Sequence, residues 1–168
     1  MKLLKKIQIG LVAFFIANVA AAQGKPTSSK ESVTGKINGA TVTVNYGSPS
    51  VNGRAIWGTL VPFNKVWRAG ANDATTFETD KELTIDGKKL PAGKYSFFIV
   101  PNEKESVIIF NKEAKQWGAY KYKESEDQLR ITVQQQATKT ATEKLTYAIE
   151  KDGLVLRWEN WEFPIQIK

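Results

Sequence analysis

The 168-residue chain contains no cysteine and no histidine. The first absence excludes disulfides, thiolate nucleophiles, zinc-finger ligand sets and covalent haem attachment. The second removes the commonest general base and the commonest transition-metal ligand, so a Ser-His-Asp or Cys-His site cannot be built from this chain. Missing too are a Gly-x-Ser-x-Gly elbow, a Ser-x-x-Lys pair, a Gly-x-x-x-x-Gly-Lys phosphate loop, a Gly-x-Gly-x-x-Gly fingerprint and an Asp-x-Asp-x-Asp run for calcium. No catalytic residue, metal ligand or cofactor is therefore expected. What remains open to chemistry is a carboxylate pair, with Asp73, Glu159 and Glu162 as candidates. Acids at turns and outward strand positions are ordinarily solvated, which weighs against it.

Long apolar runs are scarce as well. Ile7–Ala22 is uninterrupted by charge, follows Lys2, Lys5 and Lys6, and closes on Val19-Ala20-Ala21-Ala22. A basic start, an apolar middle and an Ala-x-Ala end read as a secretory signal peptide over residues 1–22, cleaved after Ala22. A membrane anchor is the competing reading, but 16 residues reach about 24 Å as helix against a hydrocarbon core of about 30 Å. No later stretch is long and apolar enough to span as a helix, so no transmembrane segment is expected after cleavage, and export to periplasm or medium follows. Lys+Arg total 24 against 17 Asp+Glu. Loss of Lys2, Lys5 and Lys6 with the leader takes the formal balance from +7 to +4, and the remaining lysines are scattered. Lys121-Tyr122-Lys123 is the nearest approach to a basic patch with aromatics, too little for a nucleic-acid face.

With 42% hydrophobic and 11% aromatic residues the remainder is globular and of a length for one domain. Residues 23–30 read as a flexible lead-in and 31–168 as a single domain. Its period is two almost throughout. Val33, Gly35 and Ile37 precede Asn38-Gly39, and Val42, Val44 and Tyr46 follow, the pattern of a hairpin. Asp86-Gly87 and Asp152-Gly153 mark further turns, and Leu129, Ile131 and Val133 alternate. Tyr95–Val100 and Val107–Phe110 are apolar at nearly every position, which predicts a central hairpin covered on both faces. Near the end, Leu154, Leu156 and Trp158 are even-numbered whereas Trp161, Phe163, Ile165 and Ile167 are odd. A strand cannot change its buried face without an irregularity, so Glu159-Asn160 predicts a bulge or turn. The fold class expected is all-β: an antiparallel β-sandwich of about ten short strands with one long irregular loop, or alternatively a partly closed β-barrel.

That irregular loop, Gly47–Ala74, is the candidate functional segment, because long unpatterned stretches in compact domains are uncommon. It holds Trp57 and Trp67, two of the four arginines (Arg54 and Arg68) and Asn72-Asp73. A second unpatterned stretch, Gln116–Tyr120, adds Trp117 and Tyr120. Guanidinium beside indole suits a carboxylate, a sugar or an aromatic ring. The candidate ligand-binding set is thus Arg54, Trp57, Trp67, Arg68, Asn72, Asp73, Trp117 and Tyr120. The competing reading is structural: Trp57, Phe63 and Trp67 plug an open end of the sandwich, while the arginines cap backbone carbonyls or pair with Asp73 or Glu159. Trp158 and Trp161 continue core faces and read as packing rather than as sugar platforms.

Several blocks resemble a known family. Pro49-Ser50-Val51, Gly53-Arg54, Ile56-Trp57-Gly58, Leu60-Val61-Pro62, Val66-Trp67-Arg68-Ala69-Gly70-Ala71-Asn72, Leu90-Pro91-Ala92-Gly93-Lys94-Tyr95-Ser96 and Trp117-Gly118-Ala119-Tyr120 are similar to the bacterial "domain of unknown function 2911" family. The resemblance covers nearly all of the chain beyond the leader. It implies a secreted or periplasmic β-rich domain and brings no reaction or catalytic residue with it. The function expected is a non-catalytic exported domain that binds a small ligand, a glycan or an envelope protein through residues 47–74 and 116–120. A structural module of the cell envelope and a carboxylate hydrolase are the alternatives.

Overall fold

The computed structural model describes residues 28–168, so the leader lies outside the described residues. Ten strands carry the fold: β1 (Ser29–Ile37), β2 (Ala40–Ser48), β3 (Thr75–Thr79), β4 (Leu83–Ile85), β5 (Lys88–Leu90), β6 (Gly93–Val100), β7 (Ser106–Asn111), β8 (Asp127–Val133), β9 (Gln136–Glu150) and β10 (Gly153–Gln166). Among the described residues the one helical element is a 3-10 turn at Glu124–Glu126, and no helix is long and apolar enough to cross a membrane. β1-β2-β3-β6-β7-β8 form one antiparallel sheet in that order. The long β9–β10 hairpin covers it as the second layer, with the small β4–β5 hairpin at one end. None of the sheets closes on itself, so the architecture is a β-sandwich rather than a barrel.

The period-two pattern explains the core. Val42 and Val44, Phe77, Tyr95, Phe97 and Ile99, Ile108 and Phe110, and Leu129 and Ile131 point inward from the large sheet. They meet Leu145 and Tyr147 of β9 and Leu154, Leu156, Trp158, Phe163 and Ile165 of β10. Phe110 packs edge-on to Phe77 and Phe97, at 5.1 and 5.4 Å between ring centroids, an arrangement that the ring quadrupoles favour. The continuous apolar runs of β6 and β7 follow from cover on both faces. Phe98 and Ile109 form a second buried cluster on the outer face, with Ala74, Val66, Ala119 and Tyr122 over them.

The turns match their chemistry. Asn38-Gly39 and Asp86-Gly87 sit at φ of 49°, 80°, 50° and 72°, the left-handed region that two-residue hairpins require. The third turn is displaced by one residue: Lys151-Asp152 form it, and Gly153 already pairs with Glu150. Gly153 is required for a different reason, since a Cβ there would overlap the Ile165 carbonyl. The change of face falls where parity places it. Between Arg157↔Thr146, Glu159↔Thr142 and Trp161↔Ala137 the register shifts twice, and Glu159 takes a φ of 54°. Both tryptophans flanking the irregularity thereby pack toward the interior cluster. At the other end β1 begins at Ser29, inside the expected lead-in, with Ser29 and Lys30 paired to Ser48 and Gly47.

Gly47 lies directly beneath the returning loop: Ala71 N–H donates to its carbonyl at 3.1 Å, and a Cβ on it would overlap the Ala71 carbonyl. Gly47→Ala is expected to destabilise the protein by about 1–3 kcal/mol through overpacking. Gly39→Ala, in open space at positive φ, should cost about 1 kcal/mol. Urea denaturation of the two variants measures this, and a Gly47→Ala protein as stable as the parent would overturn the role given to the crossing.

Candidate functional site

The segment between β2 and β3 is irregular in outline but tied down at each stage. It first pairs with β9: Leu145 N–H donates to the Pro49 carbonyl at 2.9 Å and Val51 N–H to the Glu143 carbonyl at 2.8 Å. Ser48 Oγ donates to the Leu145 carbonyl at 2.7 Å. A turn at Asn52-Gly53 follows, with φ of 48° and 66°. Here Arg54 caps its own loop, donating from Nε to the Val51 carbonyl at 3.0 Å and from a terminal nitrogen to the Ser50 carbonyl. Further on, Trp67 exchanges two backbone bonds with Ile99, at 2.8 and 2.9 Å. Trp67 thus occupies the place beside β6 just beyond the first residue of β3.

Beyond Trp67 the chain turns sharply at Ala69, a non-glycine residue at φ 52°. Such a conformation is costly and persists only when its surroundings hold it. Two interior hydroxyls do so, with Tyr147 Oη and Thr75 Oγ1 donating to the Ala69 carbonyl at 2.8 and 3.0 Å. Burial pushes the Tyr147 phenol well above its ordinary value, so it remains a donor. The segment then pairs with the second candidate loop. Gly118 N–H donates to the Asn72 carbonyl at 3.0 Å and Ala74 N–H to the Gln116 carbonyl at 2.9 Å. The two unpatterned stretches of the sequence are therefore neighbours.

Their side chains divide among different places. Trp57 belongs to the aromatic plug: it stacks on Trp161 at 4.9 Å and meets Trp67, Trp158 and Phe163 edge-on at 5.7, 6.0 and 5.4 Å. Phe63 stacks on the other side of this group, 5.9 Å from Trp161. Arg54, Trp67, Arg68 and Asn72 line one cavity of about 530 Å³, together with Trp158, Lys144 and a set of serine and asparagine side chains. Asp73 borders a second cavity, which shares Ala71 and Asn72 with the first, and lies 3.8 Å from Lys30. Trp117 and Tyr120, 62% and 83% exposed, border a third. Beside them Tyr122 Oη and Arg130 both donate to Asp127, at 2.6 and 2.8 Å, a bonded group that ties β8 to the preceding loop.

The first cavity has a distinctive chemistry. Its charged lining residues are Arg54, Arg68 and Lys144, and no acid is among them. Among the described residues no ion pair involves any of the three. Arg68 Nε and Trp158 Nε1 are shut off from water without a hydrogen-bond partner. Trp67 and Trp158 stack at 5.8 Å as one wall. Of the carboxylates considered for hydrolysis, Glu162 accepts from Arg157 Nε at 2.9 Å and Glu159 sits in the β10 irregularity. Neither of these nor Asp73 lines this cavity. Lys144 and Trp158 went unread as site residues. Lys144 sits on β9 opposite Ser50, a pairing with no local signal, and Trp158 fits the core alternation equally well.

A family model described as "Protein of unknown function (DUF2911)" matches residues 28–167 of the chain. No curated protein and no solved structure matches it.

The phenol that anchors Ala69 makes the segment sensitive to alkali. Because the folded pKa of Tyr147 lies above the unfolded value of about 10, its stabilisation is complete below that pH and is lost as pH rises above it. Melting temperature should therefore fall above about pH 10, and Tyr147→Phe should show a shallower fall from a starting point lower by about 1 kcal/mol. Identical alkaline slopes in the two proteins would refute the assignment.

Proposed function

Since the chain belongs to the DUF2911 family, whose description names no activity, we propose a function from the site itself: an exported, non-catalytic β-sandwich that holds a small ligand in the cavity bordered by the 47–74 segment. The observation that carries this reading is the convergence of Arg54, Trp67, Arg68 and Asn72 on one cavity of about 530 Å³, within the size range of small-molecule sites. Two buried polar atoms without partners on its lining residues, Arg68 Nε and Trp158 Nε1, support it further, because such groups are normally satisfied by protein, water or ligand. Residues 116–120 serve this site as a buttress through the Asn72 and Ala74 backbone bonds. A second reading, contact with an envelope protein, is favoured by the exposure of Trp117 and Tyr120.

Export rests on the leader read in the sequence. Mass spectrometry of the protein recovered from the producing cell should find Gln23 as the first residue, and recovery from the cytoplasm with residues 1–22 intact would contradict export. Binding is tested by a thermal-shift screen against neutral sugars, short peptides and small anions, repeated on Arg68→Ala. A ligand present at 100 times its Kd should add about 2.7 kcal/mol, with the shift lost in the variant. A flat screen would move the weight to the envelope-contact reading.

A further inference from the structure

The chemistry of this cavity also defines its ligand, on the premise that it is a binding site. The geometry points to a small organic anion, a carboxylate or a phosphate ester, held by Arg68, Lys144 and Arg54 against the indole wall of Trp67 and Trp158. Four observations converge on this. Three cations border one cavity whose lining residues include no acid. In ordinary protein surfaces arginine and lysine are interspersed with carboxylates, and elsewhere in this molecule they are: Arg157 bonds Glu150 and Glu162, and Arg130 bonds Asp127. Glu143, next to Lys144 in the chain, turns its carboxylate to Asn52 N–H at 2.9 Å. That bond anchors the Asn52 turn.

Two buried donors belonging to lining residues have no partner. Arg68 Nε–H and Trp158 Nε1–H are both cut off from water and unbonded, and Trp158 is 1% exposed. Arg54 is fixed by two carbonyls of its own loop, so less freedom is lost when its remaining nitrogen takes a ligand. A lining rich in donors and short of charged acceptors complements a group that is an acceptor only. Ionised carboxylates and phosphates are such groups. The parallel indoles at 5.8 Å provide an apolar wall for the body that bears the charge.

The test uses one scaffold with different charges. The purified protein is titrated with glucose, glucuronate, glucose 6-phosphate and inorganic phosphate at constant ionic strength. Binding is followed in 1H–15N NMR spectra through the Trp158 indole and Arg68 Nε–H signals. Inorganic phosphate and at least one charged sugar should give saturable shifts of both signals while glucose gives none. Glucuronate against glucose 6-phosphate separates the carboxylate from the phosphate. Arg68→Gln and Lys144→Gln should each weaken the anion about ten-fold or more, with Arg68→Lys recovering part of the loss, and melting temperatures confirm that the variants are folded. If glucose saturates as tightly as the anions, or if a neutral compound from the broader screen fills the cavity and no anion does, the anion assignment is overturned while the binding site stands. If nothing perturbs the cavity signals, both fall.

Discussion

The indole stack between the irregular segment and β10 is the contact on which the rest depends. Trp67 lies on Trp158 and Trp57 on Trp161, at 5.8 and 4.9 Å, and Phe163 closes the group from the side. The arrangement requires two tryptophans three positions apart on one strand to pack toward the same interior. A regular strand turns positions of opposite parity to opposite faces. The left-handed Glu159 and the two register shifts resolve the conflict. One irregularity in β10 thus creates the seat for the loop.

Once seated, the loop is held at points far apart in the sequence. Trp67 extends the ladder on β6, Ala69 is clamped by Tyr147 and Thr75, Ala71 crosses over Gly47, and Asn72 and Ala74 pair with residues 116–118. This fixation matters in a chain with no cysteine, where the core alone must restrain long segments. It also separates the roles of residues that sequence reasoning grouped together. Trp57 is committed to packing, whereas Arg68 and Asn72, on the same segment, border open space. Within one segment, then, some residues fix the loop and others border a cavity.

Much of the fold was legible because strand alternation and turn chemistry act over a few residues. The hairpins at Asn38-Gly39 and Asp86-Gly87, the doubly covered β6–β7 pair and the change of face near Glu159 each follow from local pattern. The third hairpin shows the limit of this reasoning, since Gly153 answers to the Ile165 carbonyl above it rather than to the turn. Of the candidate site, the arginines and Trp67 were legible from the unusual composition of residues 47–74. Lys144 was not, because on its own strand it is one more exposed lysine in an alternating run.

What the sequence alone determined was therefore the all-β class, most turns, the position of the bulge and the exclusion of histidine and cysteine chemistry. These are consequences of short-range sterics and of composition. Only the tertiary structure decided which side chains share a cavity. Asn52 and Glu143, 91 positions apart, meet because β9 pairs with the start of the loop. That same pairing brings Lys144 to Arg54 and Arg68 at one cavity. Such proximity depends on how sheets are layered and in what register, and no local pattern of residues encodes it.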